Sequence, residues 1–185
     1  MMPFPYARPG RRLLAFLLDY VVIAAYIVVL TLVTQAAALA GLSITGLFAN
    51  PIRADLLAFL LLVLPVILYF ALSESSPRQA TWGKRRMNLC VTSTDDQRLS
   101  FPRALLRSAV KFLPWQIAHT SLFQIPGWPL NATTVPAGSV TGFILVWVMI
   151  FVYLGFLFFQ PTRRTPYDFA SGSVVVDSIS TARPS

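Results

Sequence analysis

From Leu13 to Leu42 the chain holds a single charged side chain, Asp19. A hydrocarbon core of about 30 Å is crossed by about 20 helical residues, so this run is long enough to span a bilayer with tilt to spare. Two more runs share the character. Leu56 to Leu72 is almost purely aliphatic, with Pro65 near its middle, and Val140 to Phe159 carries no charge and many aromatics. A proline inside a span predicts a kink, which lipid tolerates where a neighbour satisfies the freed carbonyl. Only 12% of the 185 residues are charged and 56% are hydrophobic, whereas a soluble domain carries about 25% charge. The chain therefore reads as one polytopic membrane domain. Its net charge of +8 would suggest nucleic acid in a soluble protein. Here the positive charges lie between apolar runs, so a membrane surface replaces that partner and no nucleic acid is expected.

The distribution of arginine and lysine predicts the topology. Arg8, Arg11 and Arg12 precede the first run; Arg78, Lys84, Arg85, Arg86, Arg98, Arg103, Arg107 and Lys111 follow the second; Arg163 and Arg164 follow the last. Only Arg53 lies between the first two. The positive-inside rule then puts both termini and the central segment in the cytoplasm. To end inside, the chain needs an even number of crossings, and residues 104–124 supply the fourth. The expected spans are 13–40, 54–73, 104–124 and 140–160, with a cytoplasmic basic segment at 74–103 and a cytoplasmic tail at 161–185. The alternative is three spans plus an interfacial or re-entrant helix. Within the basic segment, Met87 to Thr92 reads as a strand, Thr94 to Gln97 as a turn and Arg98 to Phe101 as a return strand. Ser173 to Val176 is a further β-branched run. The fold class is thus all-α, polytopic, with about four transmembrane helices and a small cytoplasmic hairpin or sheet. No cleavable leader is expected, because the first apolar run is too long for one.

Asp19 is the sharpest candidate for chemistry. An intramembrane carboxylate costs about 2.5 to 3.5 kcal/mol on insertion scales, so it needs a partner, a proton or water. Arg12 lies seven residues earlier, roughly 10 Å along the axis and on nearly the same face, and an extended Arg12 could approach it. Two readings follow: a protonatable site for H⁺ or a cation, and a pin between helices. The pin is the plainer one. Asp168 reads most simply as a helix cap or turn contact. The topology brings Arg11, Arg12, Glu74, Lys84, Arg85 and Asp168 to one interface, where structural pairing is the simpler meaning. Arg103, Arg107 and Lys111 recur every four residues, forming a basic stripe that lies on anionic lipid or snorkels to headgroups. His119, with Gln116 and Gln124, could line a polar path, but one histidine without Cys or carboxylate neighbours is a poor metal site. Trp82, Trp115, Trp128 and Tyr153 read as interface anchors or packing. The one cysteine, Cys90, can run no dithiol chemistry. Asn131-Ala132-Thr133 matches a glycosylation pattern, which has meaning only in a compartment that glycosylates and is discounted. No nucleophile–base pair, carboxylate pair or phosphate-cradling loop is legible, so neither an enzyme nor a cofactor is expected.

The blocks RRLLAFLLDY, ESS…QATWGKRRMNLCV…DDQRLSFPRALLRSAVKFLP and RRTPYDFASGSVVV, in that order, resemble the RDD family of bacterial membrane proteins. The resemblance sets Arg12 and Asp19 against the family's first arginine and aspartate. Asp168 stands at its later acidic position, and Gly83 and Lys84 at the G-K after the second span. Ser171-Gly172-Ser173 departs mildly from the family's A-G-T-like run. What the family implies is transport, with Na⁺(Li⁺)/H⁺ antiport associated with some members. Two functions are therefore expected. One is proton-coupled transport of a small cation through Asp19, in a homo-oligomer, since one copy offers too few polar groups for a hydrated path. The other is a non-transporting accessory protein that binds a partner protein or anionic lipid headgroups through its basic cytoplasmic face.

Overall fold

The structure, a computed structural model, describes residues 6–42, 46, 50–128 and 131–178. The loops expected at 41–53 and 126–138 fall partly outside the described residues. The chain begins with helix α1 (Pro9–Leu39). A continuous helix over Pro51–Ser75 follows, made of α2 (Pro51–Ala58), a wider π turn (Phe59–Val63) and α3 (Leu64–Ser75). Then come the short α4 (Trp82–Arg86), strand β1 (Leu89–Ser93), α5 (Phe101–Phe123), α6 (Ala137–Phe159), the short α7 (Pro166–Ala170) and strand β2 (Ser173–Asp177). Among the described residues α1, Pro51–Ser75 and α6 are long and apolar enough to cross a membrane. Helix α5 is as long as α6 but carries Arg103, Arg107 and Lys111 in its first half.

The long helices leave apolar side chains facing outward. Leu14, Leu17 and Val21 on α1, and Ile144, Trp147, Phe151 and Phe159 on α6, are exposed. In water such a surface would collapse; in lipid it is the solvated face. Asn50 caps α2, its side chain accepting from the amides of Ile52 and Arg53, and Pro51 at the first helical position has no amide to satisfy.

The residues fall into two units, and the boundary passes through each long helix. The first holds residues 6–22, 67–111 and 151–178. Its core is Ala7, Ala15, Ala71, Leu89, Val91, Leu99, Ala104 and Val175, where alanines of α1, α3 and α5 meet larger side chains of β1 and β2 and Leu99 between β1 and α5. Here β1 pairs antiparallel with β2, Val91 opposite Val175. The expected return strand over 98–101 shrinks to one bridge, Thr92 with Arg98, because α5 already begins at Phe101 with Pro102 in its first turn. Tyr6 bridges to Val176 on the other edge of β2.

The second unit holds the described residues of 23–66 and 112–150. Ala54, Ala58 and Val63 line its buried side, and α5 meets α6 closely: a Cβ on Gly142 would sit 2.0 Å from Ser121 Oγ. Glycine is what permits that approach.

Candidate functional site

Asp19 is fully buried in the first unit. Its carboxylate accepts from Thr81 Oγ1 at 2.6 Å, from the Gly83 amide at 2.7 Å and from Tyr69 Oη at 2.9 Å. All three donors are neutral. Tyr69 Oη in turn accepts from the Trp82 amide at 3.1 Å, so the phenol is held at both ends. Thr81 is the N-cap of α4. One carboxylate thus clasps α1 to α3 and to the first turn of α4, whose amides have no partner within the helix. A Cβ on Gly83 would lie 2.1 Å from the Ala15 carbonyl and 2.9 Å from Asp19 Cγ. Glycine is required there because two backbones touch.

The approach of Arg12 to Asp19 does not occur. Arg12 donates to Asp168 Oδ2 at 2.6 Å and to the Arg163 carbonyl. Helical side chains lean toward the N-terminus, so Arg12 reaches away from a residue seven positions later.

Asp168 and Glu74, both fully buried, are bridged by Arg107. Its Nη1 meets Glu74 Oε2 at 2.5 Å, and its Nη2 meets Asp168 Oδ1 at 2.6 Å. Its Nε adds a bond to the same Asp168 oxygen at 3.0 Å and one to Ser173 Oγ at 3.1 Å. Lys84 Nζ takes the other oxygen of Glu74 at 2.6 Å. The result is an alternating row, Lys84–Glu74–Arg107–Asp168–Arg12, drawn from α4, α3, α5, α7 and α1. The second oxygen of Asp168 also accepts from the Thr165 amide and hydroxyl at 3.0 and 2.7 Å, a cap on α7. Burial pushes the Asp168 carboxyl up, but the guanidiniums of Arg12 and Arg107 outweigh it and hold the group well below the usual carboxylate range.

The basic stripe on α5 faces inward, not toward lipid. Arg107 is 1% exposed. Lys111 Nζ sits over Phe70 at 3.7 Å and over Phe16 at 4.6 Å. Arg103 donates to the carbonyls of Ser171 and Gly172 at 2.9 and 2.8 Å, tying the start of β2 to α5. A buried guanidinium needs carboxylate or carbonyl partners, and the protein interior supplies both. Arg11 pairs with Asp177 at 2.5 Å and donates to the Met87 carbonyl. Arg85 is exposed and stands outside the row.

The second unit contains a polar group that sequence reasoning missed. Asp55 on α2 accepts from Thr120 Oγ1 at 2.9 Å and from Gln116 Nε2 at 3.1 Å. Among the described residues Gln116 Oε1 is buried with no hydrogen-bond partner. His119 is not part of this cluster, since its Nδ1 bonds the Trp115 carbonyl one turn back at 2.9 Å. The available signal was the four-residue spacing of Gln116 and Thr120, which puts both on one helix face. Tyr69 and Thr81 were also missed. Asp168, expected as a helix cap or turn contact, caps α7 with Thr165, which the sequence reading did not name.

Among the described residues no group of three His, Cys, Asp or Glu is placed to hold a metal ion. Chemically, the row and the clasp position segments: α4, α7 and β2 are held against the helix ends by charge and by capping. Residues 6–172 match the RDD family, and the chain belongs to that family. No curated protein and no solved structure matches it.

Proposed function

For this RDD-family integral membrane protein we propose a non-transporting accessory role, in which an arginine-rich face holds an anionic partner at the membrane. One observation carries the reading. The charges gathered at the helix ends are satisfied internally, whereas Arg85 and Arg86, adjacent on α4 in the same unit, are exposed. Asp19 is bound by three neutral donors, and a carboxylate used to that extent in packing has little capacity left to load and release an ion. The positive-inside rule supports a cytoplasmic location for that unit in a bacterial inner membrane. The length of α5, equal to that of α6, supports a fourth crossing.

The test is ion-driven proton flux in everted vesicles from an antiporter-deficient host, with Na⁺, Li⁺ and K⁺ pulses. Wild type is expected to give no flux above empty vector. Flux that Asp19→Asn abolishes at matched membrane levels and unchanged thermal stability would overturn the accessory reading.

A second reading, proton-coupled cation transport, draws support from Asp55 rather than Asp19. Asp55 is partly exposed and bonds Gln116, whose Oε1 has no partner among the described residues, which together make a polar site in a candidate span. Asp55→Asn in the same vesicles separates the two: flux in wild type that this variant alone loses favours transport.

A further inference from the structure

We infer that Trp82, Arg85 and Arg86 of α4 form a recognition site for anionic phospholipid headgroups, set at the headgroup level by the clasp between Asp19 and Gly83. The inference rests on the accessory reading and names its partner.

The depth of α4 follows from its attachment. Gly83 touches α1 at Ala15 and Asp19, so α4 lies level with those residues. On the neighbouring face of α1, at the same height, Leu14, Leu17 and Val21 are exposed at 46%, 61% and 59%. Apolar side chains that exposed belong to the part of a span that meets lipid. A segment level with the first of them lies where acyl chains give way to headgroups. That is the depth at which tryptophan accumulates, with its ring against hydrocarbon and its N–H toward water.

The chemistry of α4 fits that depth. Lys84 turns inward to Glu74, but Arg85 and Arg86 are exposed, and among the described residues no carboxylate pairs with either. The Arg86 guanidinium lies over the Trp82 ring at 5.4 Å, which orients its donors without using them. Two adjacent guanidiniums and an indole match a phosphodiester with one net negative charge: forked donors for the oxygens, an apolar ring for the glycerol and first methylenes. The backbone under them is held rigidly, because the Trp82 and Gly83 amides are bonded to Tyr69 and Asp19. The site is therefore organised before the lipid arrives.

The experiment is native mass spectrometry of the delipidated full chain titrated with phosphatidylglycerol, with phosphatidylcholine as the zwitterionic arm. The double variant Arg85→Gln/Arg86→Gln is expected to bind phosphatidylglycerol about 30-fold more weakly than wild type, at about fivefold per arginine near an anionic surface. Phosphatidylcholine binding should not change. Arg78→Gln/Arg98→Gln, which removes two exposed arginines elsewhere, should bind phosphatidylglycerol as wild type does, and free inorganic phosphate should not compete. All the substituted side chains are exposed, and an unchanged melting temperature verifies the fold. Wild-type affinity in the first double variant overturns the site, as does an equal loss in the second, which would mean diffuse charge attraction. Full competition by phosphate overturns the lipid as the ligand. Failure here leaves the accessory reading standing with a protein partner, whereas flux through Asp19 would remove that reading without touching the lipid titration.

Discussion

Tyr153 donates its hydroxyl to the Val110 carbonyl at 2.7 Å, and Val110 lies four residues before Pro114. That carbonyl would bond the amide of residue 114, and proline has none. The same arrangement recurs in the second unit, where Tyr26 Oη donates at 2.6 Å to the Leu61 carbonyl, four residues before Pro65. In lipid no water replaces a lost backbone donor, so each proline is accompanied by a phenol from another helix.

Removing the Tyr153 hydroxyl should therefore be felt only while the proline is present. Tyr153→Phe is expected to destabilise the protein by about 1 kcal/mol, the usual worth of one hydrogen bond in a membrane protein. In a Pro114→Ala background the restored amide makes the hydroxyl redundant, and the cost should fall toward zero. A double-mutant cycle of thermal unfolding in detergent measures this, and an equal cost in both backgrounds refutes the pairing.

Gly83→Ala should be far more damaging than an exposed glycine-to-alanine change. The added methyl would meet the Ala15 carbonyl and the Asp19 carboxylate, forcing α4 off α1 at a cost of about 1 to 3 kcal/mol or more. Gly155→Ala, where a Cβ meets nothing within 4 Å, is the control. Equal melting temperatures for the two variants would show that the close approach is not needed.

Arg107→Met should cost about 3 to 5 kcal/mol, because it strips one partner from each of two buried carboxylates. Lys84→Met should cost less, since Glu74 keeps Arg107. The order of the two melting temperatures tests which cation is central to the row.

The three long apolar helices were legible because long uncharged runs allow few other fates, and strand β2 because three valines in succession suit a buried sheet. The inward turn of Arg103, Arg107 and Lys111 was not legible. A four-residue spacing defines a face, but which way that face points depends on Glu74 and Asp168, 33 and 61 residues from Arg107. The partners of Asp19 were hidden in the same way. Arg12 was near in sequence, while the real donors lie 50 to 64 residues on. One of them is a backbone amide, which carries no side-chain signature at all. Asp168 was easier because part of its role is local, the cap with Thr165.

Acid should release the segment that Asp168 holds. Its folded carboxyl titrates below the ordinary value because Arg12 and Arg107 outweigh its burial. A depressed folded pKa means the unfolded chain binds the proton first, so the contribution to stability is complete above the ordinary carboxylate pKa of about 3.9 and is lost as pH falls below it. Wild type should therefore lose stability as pH drops from about 4 toward 2. Asp168→Asn should start less stable at pH 7 and show a shallower decline over that window. Thermal unfolding in detergent across the pH series reads both slopes. Parallel curves would mean that Asp168 does not titrate with unfolding, and the ion row would then have to derive its pH response from other carboxylates.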